Sequence, residues 1–140
     1  MSSFPKCRVS LRICDNDLDP LEITEMLRVE PDAFHKKGDP NMQISKKGKQ
    51  MEFSPYNSGL WSINSKEMDS ATIGVHIKAL LLILEPLKNE LSILHNRGYK
   101  MDLFCGLFAQ GCSQPGLELD ASLLRRVGEL NLRVGMCFYS

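Results

Sequence analysis

Apolar residues recur at every second position over 100–109 more regularly than anywhere else in the chain. Read as a strand, this stretch sends Met101, Leu103, Cys105, Leu107 and Ala109 to one face and Asp102, Phe104, Gly106 and Phe108 to the other. The first set is continuous core. The second puts two phenyl rings on a face that needs a further layer or a partner. The same period runs through 7–14, with Cys7, Val9, Leu11 and Ile13 opposed to Arg8, Ser10 and Arg12. It returns over 58–64, where Trp61 and Ile63 share the core face, and over 132–139, where Leu132, Val134, Met136 and Phe138 do. Trp61 reads as a packing anchor whose indole N–H needs a partner once buried.

Between these strands the period lengthens to that of a helix. Asp19 is placed as an N-cap, Pro20 as the first helical residue and Glu22 as the capping-box partner, with Leu18 and Ile23 forming a hydrophobic staple. The helix is expected to end near Leu27, before Pro31. Asp15, Asp17 and Asp19 alternate as in a calcium loop, but Pro20 and Met26 stand where such a loop needs glycine and glutamate, so no metal site is predicted. A second helix is expected over 71–97, capped by Asp69 or Ser70 and closed by Gly98. Ile73, Ile77, Leu80, Leu84, Leu87, Leu91 and Leu94 form its apolar stripe. At 1.5 Å per residue it would be roughly 40 Å long, with Pro86 kinking or splitting it. His76 falls off the stripe and is expected in solvent, and His95 lies near the C-terminal end, where a cation suits the dipole. A third helix follows Asp120, with Leu123, Leu124, Val127 and Leu130 inward and Asn131 closing it.

The least patterned stretch is 30–58, a loop carrying Lys36, Lys37, Lys46, Lys47 and Lys49. Gly38-Asp39-Pro40 and Lys47-Gly48 are turn signals, and Met42 and Ile44 against Met51 and Phe53 suggest a hairpin that extends the sheet.

The first and last strands are one-sided, with Arg8, Arg12 and Arg133 pointing away from the core, whereas strands of a doubly wound sheet are apolar on both faces. The expected fold is therefore α+β, a ferredoxin-like two-layer sandwich of four or more strands, helices mainly on one face and one long helix. The first and last strand–helix–strand units are each expected to close by a right-handed crossover. The uncovered face would carry Arg8, Ser10, Arg12, Ser62, Asp102, Phe104, Phe108, Arg133, Cys137 and Tyr139.

At 140 residues the chain is expected to form a single domain, 1–140, with a core that needs no staples. Seventeen basic and seventeen acidic residues cancel, which removes the basic excess of a nucleic-acid binder and leaves self-association unopposed. The five cysteines are odd in number and match no zinc spacing, so they read as reduced thiols. No leader and no bilayer-length apolar run is visible, so the expected location is the cytoplasm, with no membrane contact.

Several segments come together in a recognisable order: Ser10-Leu11-Arg12-Ile13, the run from Asp17 to Thr24, Lys37-Gly38-Asp39-Pro40, Gly59-Leu60-Trp61-Ser62, Arg97-Gly98-Tyr99 and the run from Met101 to Gly106. The set, spanning nearly the whole chain, resembles a bacterial family, the domain of unknown function 4279. The resemblance implies a bacterial cytoplasmic protein and carries over no activity, substrate or catalytic residue.

The residues leave three functions open. The leading expectation is a non-catalytic interaction domain, forming a homodimer or binding another bacterial protein, of immunity or accessory type by analogy alone. The second is a single-stranded nucleic-acid or nucleotide binder, stacking bases on Phe104 and Phe108 with Arg8, Arg12, Arg133 and the lysine loop on phosphates. The third is an enzyme, for which only His35 with Asp39, Asp15 with Asp17, and the thiols of Cys105 or Cys112 are available, and none has a second group at a telling spacing. No cofactor and no catalytic residue is predicted. A binding site is expected where the lysine loop meets the central strand, at His35, Lys37, Asp39, Trp61, Asp102, Phe104 and Phe108.

Overall fold

The computed structural model describes residues 4–140. Its main sheet contains β1 (Lys6–Asp15), β2 (Ala33–His35), β5 (Gly59–Asn64), β6 (Lys100–Phe108) and β7 (Arg133–Tyr139), in the order β2-β5-β1-β6-β7. A separate two-stranded sheet pairs β3 (Asn41–Ile44) with β4 (Gln50–Phe53). The helices are α1 (Pro20–Leu27), α2 (Ile73–Leu84), α3 (Lys88–Asn96) and α4 (Ala121–Glu129). The fold is α+β, with a mixed sheet.

The inward sets of β1, β5 and β6 form one apolar cluster with Ile23 and Leu27 of α1, Ile77 and Leu80 of α2, Leu91 and Leu94 of α3, and Leu123 and Val127 of α4. All four helices therefore lie on one face of the sheet. Their local signals are those of the sequence: Asp19 caps α1 by accepting the Leu21 N–H at 3.2 Å, and Pro20 occupies its first turn. Glu22 does not close a capping box. Its carboxylate accepts from Arg97 at 2.9 Å, tying α1 to the end of α3.

Several expectations are corrected. β1 and β5 are antiparallel neighbours, so the first unit does not close between them. It closes instead at β2, which runs parallel to β1 with β5 inserted between them, a three-residue strand too short to show alternation. β5 and β6 likewise run parallel with β1 between them, and only β6, α4 and β7 form a unit whose strands are adjacent and parallel. The hairpin of β3 and β4 forms, turning at Gly48 (φ +78°), but stands apart from the main sheet instead of extending it. The long helix splits at Pro86, one of the two outcomes expected there: the proline has no N–H to continue the ladder, and residues 85–87 tighten into a 3₁₀ turn between α2 and α3. Its N-cap is Thr72, since the Asp69 carboxylate is engaged by Arg8 and Lys6. Finally, His76 is buried rather than solvated, and Leu124 of α4 is half exposed rather than inward.

Among the described residues no helix is long and apolar enough to cross a membrane.

Candidate functional site

Register across the open face brings basic and aromatic side chains together. Antiparallel pairing sets Lys6 opposite Phe108, Arg8 opposite Gly106, Ser10 opposite Phe104 and Arg12 opposite Asp102. Parallel pairing on the other side of β6 sets Arg133 beside Asp102, Gly135 beside Phe104 and Tyr139 beside Phe108. The outward half of β1 thus sets Lys6, Arg8 and Arg12 beside the Asp102 carboxylate and the Phe104 and Phe108 rings of β6.

Each ring has found a cover. The Arg12 guanidinium lies 4.3 Å from the Phe104 centroid while donating to both oxygens of Asp102, at 2.9 and 2.7 Å. The Asp102 hydrogen bonds hold the Arg12 proton more tightly than usual. Lys6 Nζ sits 4.9 Å from the centre of Phe108, whose other neighbour, Tyr139, stacks on it at 4.6 Å. Arg8 reaches the other way, donating to Asp69 at 3.4 and 3.2 Å, and that contact keeps the Asp69 carboxyl below its ordinary range.

Between the aromatic row and the loop over 65–69 lies a concavity of about 400 Å³. Gly106 forms the low point of its floor, between Phe104 and Phe108. At its inner end His76 is 1% exposed, with Nδ1 2.9 Å from Ser65 Oγ and Nε2 without a hydrogen bond. Burial pushes the imidazole pKa down against the opposing pull of Glu67, Asp69 and the Met68 backbone. Ser65 and His76 have the spacing of a nucleophile and its base. Ser65 Oγ, however, also accepts the Glu67 N–H at 3.2 Å, which marks it as a turn fastener, and no carboxylate orients Nε2.

The residues expected to form one site are divided into three places. Asp102, Phe104 and Phe108 lie together on the open face. His35 shares that face at the β2 edge, three strands and about 14 Å from β6. It stacks on Tyr56 at 3.5 Å, with Nδ1 buried and without a hydrogen bond. Asp39 accepts the Lys36 N–H at 2.8 Å and holds the turn that carries exposed Lys37. Trp61 points the opposite way, wholly buried in the core, with its indole N–H donating to Thr24 Oγ1 at 3.0 Å. Sequence reasoning missed Lys6, Asp69, Ser65 and His76. The last three sit in or beside a loop whose fold over the sheet edge leaves no periodicity to read. Tyr139 was placed on the open face but not in the site, and its register opposite Phe108 is what brings it there.

The family model described as "Domain of unknown function (DUF4279)" matches residues 5–140. The chain belongs to that family. No curated protein and no solved structure matches it. The family description names no activity, so the chemistry of this DUF4279 chain rests on its own side chains.

Among the described residues no group of three or more His, Cys, Asp or Glu side chains could hold a metal ion. Cys105 is buried in the core, where desolvation pushes its thiol up to about 12, far from a reactive thiolate. Burial likewise raises Cys7 and Cys14. What the open face offers is a half-buried surface on which aromatic rings and paired charges lie side by side.

Proposed function

We propose that this DUF4279 protein is a non-catalytic binding module of the bacterial cytoplasm, a single domain that associates with itself or with another protein through the open face of its sheet. The observation that carries this reading is the one-sided packing: every helix lies on one face, while Phe104, Phe108 and Tyr139 stay partly accessible on the other. The guanidinium of Arg12 over Phe104 and the ammonium of Lys6 beside Phe108 sit on flexible side chains that can move aside, which suits a surface that exchanges intramolecular cation–π contacts for intermolecular ones. We read the two interlocked units, β1-α1-β2 around β5 and β5-α2-α3-β6 around β1, as a ferredoxin-like core to which α4 and β7 are appended.

The nucleic-acid alternative loses support at the arginines. Arg8 is bound to Asp69 and Arg12 to Asp102, so a phosphate would have to displace a carboxylate at each, and the chain has no net positive charge to draw it in. The enzyme alternative rests on Ser65 and His76 alone and lacks a third group.

Light scattering on the purified chain, with Phe104→Ser and Phe108→Ser variants, tests the proposal. The expected result is a mass above 15.8 kDa, or capture of a partner from bacterial lysate whose later identification shows contact at these rings, in either case weakened by both substitutions. Association unchanged by both substitutions would remove the open face from the reading.

A further inference from the structure

The two edges of the main sheet are treated very differently. At one end β2 is three residues long, follows Pro31, and is flanked by Asp32, whose carboxylate turns inward to the Asn64 N–H and to Lys66. Such a short edge offers little to pair with. At the other end β7 presents seven residues, Arg133–Tyr139, with no bulge in its register against β6, no proline and no lysine. Its one charge, Arg133, stands at the start. A long, regular, uncharged edge is what folded proteins avoid unless something pairs with it.

The free groups on that edge can be assigned. The Ala109 N–H donates to the Tyr139 carbonyl at 2.8 Å. Because the N–H and C=O of one strand residue point the same way and alternate along the chain, Tyr139, Cys137, Gly135 and Arg133 turn their backbone toward β6. Val134, Met136 and Phe138 turn theirs outward, to no neighbouring strand among the described residues.

We propose that β7 is the seam of a homodimer, pairing antiparallel with β7 of a second copy about a twofold axis at Met136. Only this register pairs all seven residues. It sets Met136 opposite Met136 and Val134 opposite Phe138 as hydrogen-bonded pairs on the helix side, and Gly135 opposite Cys137 and Arg133 opposite Tyr139 on the open side. Phe138, 63% exposed despite pointing to the helix layer, gains an apolar neighbour. Tyr139, 42% exposed, gains a guanidinium over its ring, the contact that Phe104 already makes with Arg12. Shifting the register by a residue pair leaves either Val134 or Phe138 unpaired, and sliding the axis to Arg133 opposes like charges. With zero formal net charge, nothing at long range keeps two copies apart. A twofold perpendicular to the sheet puts both open faces on the same side, so the seam doubles the contact surface proposed above. The inference rests on that reading only in taking self-association as the function of the module.

Amide exchange resolved by residue, on the full chain at a concentration where light scattering reads twice 15.8 kDa, is the direct test. The amides of Val134, Met136 and Phe138 are expected to be protected in the dimer and to lose protection on dilution, while those of Gly135, Cys137 and Tyr139 stay protected throughout. Fast exchange at the three outward amides in a dimer, or a mass of 15.8 kDa at every concentration, overturns the seam. Met136→Pro removes an outward donor and leaves the β6 ladder intact, losing besides it only the partly buried packing of the Met136 side chain, so it should yield a folded monomer. A variant that folds and stays dimeric also overturns it, and if the variant fails to fold, exchange in the unaltered chain decides. A dimer abolished by Phe104→Ser but not by Met136→Pro would reject the seam and keep the open-face reading. Loss with Met136→Pro alone would do the reverse.

Discussion

Arg12 makes a single guanidinium serve two neighbours, gripping the Asp102 carboxylate through both oxygens and lying 4.3 Å from the Phe104 ring. The pair joins β1 to β6 at the centre of the sheet and is only partly accessible, which places it between an exposed ion pair and a buried one. Asp102→Asn should therefore cost about 1 kcal/mol, above the few tenths of an exposed pair and below the several of a buried one. Arg12→Ala should cost a similar amount and also bare the ring. Urea denaturation gives the first figure, and binding of a hydrophobic dye, higher for Arg12→Ala than for Asp102→Asn, reports the second. Equal dye binding would mean that Arg12 does not cover Phe104.

Trp61 and Thr24 form a polar contact inside the core. The Thr24 hydroxyl donates to the Pro20 carbonyl at 3.1 Å, which turns a lone pair toward the indole N–H at 3.0 Å. Thr24→Val keeps the shape but orphans a buried donor, so a loss of about 1–3 kcal/mol is expected. Trp61→Phe in the Thr24→Val background removes the orphan, and the two changes together should cost clearly less than the sum of the separate losses. Strict additivity would show that the hydrogen bond contributes nothing.

Much of this arrangement can be read from the chain alone. The alternation over 7–14 and 100–109 locates two strands to within a residue, because each has one face in the core and a slip of one position would turn that whole set outward. Asp19-Pro20 and Lys47-Gly48 act through backbone geometry at their own positions and are equally legible. What is hidden depends on distant partners. β2 is a strand only because β5 pairs with it, and Ala33-Phe34-His35 carries no period of its own. Arg8 meets Asp69 across 61 residues. His76 flanks the apolar stripe of α2 and reads as wet; it is dry because the loop over 65–69 folds across it. The candidate site was half legible for the same reason: periodicity gives the outward faces of strands but not which loop closes beside them.

Gly59 opens β5 opposite Asp15, where the turn that follows β1 folds back. A Cβ there would lie 2.9 Å from Leu18 Cβ and 3.0 Å from the carbonyl oxygens of Asp15 and Leu18. Two of these three are backbone atoms and cannot swing aside, so Gly59→Ala should destabilise by about 1–3 kcal/mol, lowering the melting temperature by several degrees. Gly106 supplies the control. Its nearest neighbour is the Phe108 ring at 3.4 Å, a side chain on the open face, and Gly106→Ala should shift melting by much less while reducing the concavity. Equal shifts for the two alanine variants would contradict the close approach at Gly59.

His76 makes the stability of the protein fall as the solution is acidified. Burial lowers its pKa from the ordinary 6.5, so in mild acid the unfolded chain takes up a proton that the folded chain refuses. The stability contributed by the neutral ring is complete above the unfolded value and is lost progressively as pH falls from there through the lowered folded value. Glu67 and Asp69 favour the charged ring and limit the drop, whose slope stays within the roughly 1.4 kcal/mol per pH unit that one proton allows. The carboxylates held low by cations, Asp32 by Lys66, Asp69 by Arg8 and Glu85 by Arg126, have the same sign but act lower. Their contributions persist through this window and fade only once pH drops below the ordinary 3.8 to 4.5 of free Asp and Glu side chains. Urea midpoints measured across mild acid for the chain and for His76→Leu separate the two. The variant should be flatter by the amount attributed to His76, and parallel curves would show that the ring titrates alike in both states.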